Sequence, residues 1–145
     1  MKKYNKKRRG FTLLELMIVI VILGLLSALV LPNILGKAES AKKKLVCIQM
    51  KNIKESLKSF KFDNGVYPTT EEGLMSLISN PDPEVYKNYA PKAYLDSKKP
   101  PIDPWNNEYI YLNEENVIDI ISLGSDGKDG GEDEAQDIHL DDCER

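Results

Sequence analysis

From Leu16 to Leu35 the chain carries no charged residue, and about 20 consecutive apolar residues is the length a helix needs to cross a bilayer. Gly24, Ser27 and Pro32 interrupt the run, but Gly and Pro are tolerated in membrane helices. A stretch this long and this apolar therefore predicts a helix that must be covered by lipid or by other protein. It leaves a chain of 145 residues room for one small globular domain besides.

The residues on either side sharpen this reading. Lys2, Lys3, Lys6, Lys7, Arg8 and Arg9 precede Gly10, whereas Lys37 and Lys42 to Lys44 follow the run. Six charges outweigh four, so the amino end is expected on the cytoplasmic side and the globular part across the membrane. The chain holds 20 Lys+Arg and 23 Asp+Glu; without the leader's six basic residues the balance falls to about −9, which argues against nucleic acid as a partner. A secretory signal peptide is the competing reading, because Gly36-Lys37-Ala38 has a small-x-small pattern. The apolar run exceeds the usual ~7 to 15 residues of such a peptide, and an acid, Glu15, stands at its mouth.

Glu15 is the residue a plain anchor does not explain. A carboxylate in a membrane helix costs a few kcal/mol, roughly 2.5 to 3.5 for an Asp at the helix centre, and marks a functional site. Cleavage after Gly10 creates a compensating cation, the α-amino group of Phe11, one helical turn from Glu15 in the same chain or facing it from a neighbour.

Beyond Gly36 the helical pattern continues. Val46, Met50, Ile53, Leu57 and Phe60 recur at steps of four and three, the core face of an amphipathic helix, with Ala38, Ala41, Leu45 and Ile48 on a neighbouring stripe. One helix from about Phe11 to Phe62 is expected, with a kink allowed at Pro32, and Asn64-Gly65 ends it. Thr69 and Glu72 have capping-box spacing for a short second helix. Six prolines between residues 80 and 107 place that stretch in loops. Glu108 to Leu112 and Val117 to Ser122 are expected to pair as a hairpin. From Gly124 onward, composition alone describes a disordered tail.

For catalysis there is one histidine, His139, in the polar tail, and no GxSxG, phosphate-binding Gly-Lys or HExxH string; no nucleophile and base can be paired, so no enzyme is expected. Cys47 and Cys143 are too few for a disulfide scaffold and are not spaced as a zinc site. They form either one bridge in an oxidising compartment or two independent thiols. Trp105 after Pro104 is read as a core aromatic covering the sheet, with a carbohydrate-stacking surface as the alternative. Asp126, Asp129, Glu132, Asp133, Glu134 and Asp137 crowd a glycine-rich segment; so many hard oxygen donors on a pliable backbone suit calcium. Counted from Asp126 the segment is not an EF-hand, because Lys128 and Gly130 stand where oxygen ligands belong.

Gly10-Phe11-Thr12-Leu13-Leu14-Glu15-Leu16 resembles the cleavage and methylation motif of type IV pilins and pseudopilins. The resemblance implies that a prepilin peptidase cuts between Gly10 and Phe11 and methylates the new amine, and that Glu15 neutralises the amino terminus of an adjacent subunit during assembly. Three later strings, Tyr67 to Leu74, Asp103 to Tyr109 and Ser122 to Gly127, are similar, in the same order, to the major pseudopilins of type II secretion systems. That family implies an α+β, pilin-like fold: residues 1–10 a leader, 11–35 a transmembrane and assembly helix, and 36–145 a periplasmic domain with the helix packed on a small antiparallel sheet. It implies a homopolymer seated in lipid before assembly, with minor pseudopilins and the inner-membrane secretion platform as further partners and export of folded proteins as the function. An adhesive or DNA-uptake pilin shares the cassette, but it is expected to carry a longer or basic variable region. The family also implies a Ca2+ bound by the side chains of Asp126, Asp133 and Asp137 and the carbonyls of Leu123 and Lys128. Between Gly131 and Ile138 the chain departs from the family pattern, so Asp133 and Glu134 are interchangeable there.

Overall fold

A computed structural model describes residues 10–145, without the side chains of 29–35 and 134; the basic leader lies outside the described residues. The described chain divides between Glu39 and Ser40 into two compact units.

A single helix, α1, runs Leu13–Asn64, starting and ending two residues later than the periodicity predicts. It begins where Thr12 and Glu15 satisfy each other: the Thr12 N–H donates to Glu15 Oε2 at 3.1 Å and the Glu15 N–H donates to Thr12 Oγ1 at 3.2 Å, a capping box that occupies two otherwise orphan donors. It ends at Gly65, whose φ of +83° favours glycine, with the Gly65 N–H on the Lys61 carbonyl and the Asn64 side-chain amide on the Phe60 carbonyl.

Within the second unit α1 supplies the spine of the core. Val46, Met50, Leu57 and Phe60 are fully buried and Ile53 nearly so, each contributing about 1.5–3 kcal/mol of apolar burial. The neighbouring stripe stays outside, with Leu45 and Ile48 exposed. Facing the spine is a three-stranded antiparallel sheet in the order β1-β2-β3: β1 Ile110–Glu114, β2 Val117–Ser122 and β3 Ile138–His139. Tyr109 and Tyr111 alternate inward on and just before β1, and Ile118, Ile120 and Ser122 on β2, the period-two pattern of a sheet with one covered face.

The predicted hairpin forms between β1 and β2, with Glu114 opposite Val117. Its two-residue turn places Glu115 and Asn116 at φ of +49° and +69°, the signs a type I′ turn needs to match the strand twist. Thr69 and Glu72 form the expected reciprocal bonds, but Gly73 follows at φ +59°, and only a 3-10 helix, Gly73–Leu77, is built. Its Leu74 and Leu77, together with Tyr86, close the core, Tyr86 standing edge-on to Phe60 at 5.0 Å.

The tail departs from its disordered composition. β3 adds to β2 through Ile121↔His139 and Ser122↔Ile138, and a 3-10 turn, Leu140–Cys143, buries Leu140 and Cys143. Leu140 and Cys143 give the end of a segment that composition averages as polar two buried anchors.

Candidate functional site

The candidate residues fall in two regions of the chain, the amino end of α1 and the loop between β2 and β3.

At the amino end, Leu13 to Leu26 hold twelve large apolar side chains with exposures from 48% at Val19 to 77% at Leu13. Among the described residues no helix is long and apolar enough to cross a membrane; the remainder of the expected span, 29–35, has no described side chains. Gly10 is exposed and Phe11 is 80% exposed, so the peptide bond between them is accessible. The Glu15 carboxylate also receives the Thr12 hydroxyl at 3.3 Å. Thr12-x-x-Glu15 is a capping-box string, the signal that reveals this use of the acid and that the sequence reading applied only to Thr69 and Glu72.

The second region is the acidic loop between β2 and β3. Asp126 Oδ1 accepts from the Lys128 N–H at 3.1 Å, and Asp137 Oδ2 accepts from the Gly130 N–H at 2.8 Å. Asp137 Oδ1 is buried with no hydrogen-bond partner. Asp133 opens a 3-10 turn, Asp133–Ala135, at φ +54°, and its carbonyl accepts from Lys43 Nζ of α1 at 2.6 Å. Of the two expected carbonyl ligands, Leu123 precedes the tight bend at Gly124, whose φ is +62° and where a Cβ would come within 2.9 Å of the Ala135 carbonyl carbon, and Lys128 follows Gly127, at φ +64°. Among the described residues no three His, Cys, Asp or Glu gather as a metal cage. The chemistry of the donor set nevertheless fits a hard cation, since every expected ligand is an oxygen and one buried carboxylate oxygen is unsatisfied.

The residues that position this loop escaped the sequence reading. Asp103, 3% exposed, accepts the Trp105 and Asn107 N–H groups on Oδ1 at 2.9 and 2.8 Å and the Ser122 hydroxyl on Oδ2 at 2.7 Å. It thereby organises a turn whose Asn106 sits at φ +72°. Asn107 then reaches across to the loop's Gly124 carbonyl at 2.9 Å. Trp105 packs half-buried against the core, with Lys42 Nζ 5.7 Å above its ring.

Cys47 of α1 and Cys143 are joined, their Cα atoms 5.1 Å apart. His139 is exposed and pairs its Nδ1 with Asp119 at 2.7 Å; the same carboxylate takes the Leu140 N–H.

The chain matches the family described as type II secretion system (T2SS), protein G over residues 33–141, and the prokaryotic N-terminal methylation motif over residues 5–31. It is 43% identical to type II secretion system core protein G of Vibrio cholerae over 94% of this chain and 93% of that protein. It is 44% identical to the Escherichia coli K12 protein of the same name over 88% and 89%. The crystal structure of the major pseudopilin from the type 2 secretion system of enterohaemorrhagic Escherichia coli aligns with a TM-score of 0.61 at 33% identity, covering 72% of this chain and 86% of that one. A pilin-like fold, a methylation motif and two near-full-length relatives agree: the chain belongs to the type II secretion system protein G family and is a structural pseudopilin, not an enzyme.

Proposed function

We propose that this pseudopilin is made as an inner-membrane precursor with its amino end cytoplasmic and its globular unit periplasmic. A prepilin peptidase cuts it between Gly10 and Phe11 and methylates Phe11, and the product polymerises through α1 into the pseudopilus that drives folded proteins across the outer membrane. Minor pseudopilins and the inner-membrane platform are its further partners.

The observation that carries this reading is the unbroken exposure of the Leu13 to Leu26 side chains. A contiguous apolar surface of this kind requires lipid or a partner, and a filament of like helices supplies the second after a bilayer has supplied the first. Glu15 enters through its position: in the precursor it is spent on the Thr12 cap, and cleavage adds a charged amine at Phe11 to compete for the same carboxylate. A neighbour's Phe11 amine is the stronger partner in a filament, because a bond between two opposite charges in a low-dielectric setting outweighs one from an uncharged N–H to the same carboxylate.

Mass analysis of the mature amino terminus tests the proposal. A methylated Phe11 is the expected product; a chain beginning at Glu39 would make the segment a signal peptide, and one beginning at Met1 a simple anchor. Glu15→Val is expected to insert in the membrane and assemble poorly, whereas normal filaments would remove the assigned role of the acid.

The acidic loop is assigned to Ca2+, with Asp126, Asp133 and Asp137 as side-chain ligands, Glu134 as the alternative to Asp133, and the Leu123 and Lys128 carbonyls completing the set. The ion would supply charge neutralisation to a segment crowded with carboxylates. The unpartnered Asp137 oxygen supports this reading.

A further inference from the structure

The lysine run at 42–44 is the feature of the sequence that filament assembly leaves unused. Two of its members are turned onto the globular unit. Lys42 lies over Trp105, and Lys43 crosses 90 residues of sequence to donate to the carbonyl of Asp133 at 2.6 Å. Both side chains are half-buried, so their stems are packed and their positions restricted.

The place Lys43 reaches is distinctive. Asp133 is a non-glycine residue at φ +54°, a left-handed conformation uncommon among L-residues and best tolerated by Asn and Asp. It sits within Glu132-Asp133-Glu134, three consecutive acids whose like charges oppose their own close packing. A hydrogen bond from the Lys43 ammonium to the Asp133 carbonyl satisfies an acceptor and brings a positive charge to the backbone of this acidic run.

We propose that Lys43 is the resident counter-cation of the acidic loop: it pins the Asp133 turn to α1 in the chain without a divalent ion, so the loop is ordered before metal arrives. Lys43 is a positioning residue. It acts on the loop from the stretch of α1 that belongs to the second unit. The proposal builds on the calcium reading of the same loop, but its effect is measured without the metal, so the two can fail separately.

The test is amide hydrogen exchange of the full-length chain in detergent, followed over residues 132–136 in EDTA. Lys43→Met is expected to exchange there at least five-fold faster than the unmutated chain, Lys43→Arg within two-fold of it, and β1 and β2 equally in all three. Unchanged exchange in Lys43→Met, or Lys43→Arg as fast as Lys43→Met, would overturn the assignment, as would loss of protection throughout the sheet, which would mark a general packing defect. Calcium added to the unmutated chain separates the readings: no added protection over 124–137 removes the metal while the EDTA comparison still decides Lys43.

Discussion

Asn107 and Gly124 are joined by a hydrogen bond of 2.9 Å from the Asn107 side-chain amide to the Gly124 carbonyl, which fastens the turn before β1 to the first bend of the acidic loop. The fit leaves no slack on the far side, since a Cβ at Gly127 would stand 2.8 Å from Asn107 Oδ1. Asn107→Ala is expected to cost about 1–3 kcal/mol, the desolvation of a carbonyl left without its partner. Denaturant unfolding of the globular unit measures it, and an unchanged midpoint would show that the link is idle.

Asp103 is the support beneath that link. Its three donors, the Trp105 and Asn107 N–H groups and the Ser122 hydroxyl, all lose their acceptor in Asp103→Ala, for an expected loss of about 3 kcal/mol or more. Asp103→Asn keeps one carbonyl oxygen for the backbone donors and can donate to Ser122, so its loss should be smaller. Thermal melts of the two variants check the order, and equal losses would show that the backbone donors do not depend on the side chain.

The Cys47–Cys143 bond spans a sequence separation of 96 and holds the tail on α1, beside the Lys54–Glu144 ion pair. Replacing both cysteines with Ser, or reducing the bond, is expected to lower stability by about 2–5 kcal/mol and to release β3 first, since β3 has only two residues. The surface ion pair contributes little by comparison. Unfolding with and without reductant gives the magnitude, and equal stabilities would remove the bond from the account of tail order.

The hydrogen bond to Asp119 raises the His139 pKa above its ordinary 6.5. A group raised by folding adds stability that is complete below its unfolded pKa and is lost as pH climbs through the folded one. The melting temperature should therefore fall as pH rises from the ordinary 6.5 through the raised value, and His139→Gln should flatten that slope. A slope unchanged in the variant would assign the titration to another group. The imidazole is 46% exposed, so the effect is small.

Calcium is expected to raise the melting temperature of the unmutated chain and to have no effect on Asp126→Ala. At a hundred-fold excess over the dissociation constant, linkage contributes about 2.7 kcal/mol. Melting curves identical in calcium and EDTA for the unmutated chain would sink the assignment of the loop.

Much of the helical spine was legible, because Val46, Met50, Ile53, Leu57 and Phe60 follow the 3.6-residue period without help from the rest of the chain. The hairpin was legible from its β-branched and aromatic runs and the polar residues between them, although β1 runs Ile110–Glu114 instead of Glu108 to Leu112. The Thr12–Glu15 box was written in the sequence and overlooked there, since attention to the acid as a charge obscured its use as a cap. Composition alone describes the tail as disordered because it averages away Leu140 and Cys143, two residues that are buried.

What the sequence by itself determined is everything carried by local period and chemistry: the apolar run, the acid at its mouth, the core stripe and the absence of catalytic pairs. Only the tertiary structure decided that Asp103 holds Ser122, that Asn107 holds Gly124, that Lys43 meets Asp133 and that Cys47 meets Cys143. The reason is physical: periodicity places a side chain on a face of its own element, but a contact between residues 17 to 96 apart exists only once packing has closed the chain between them.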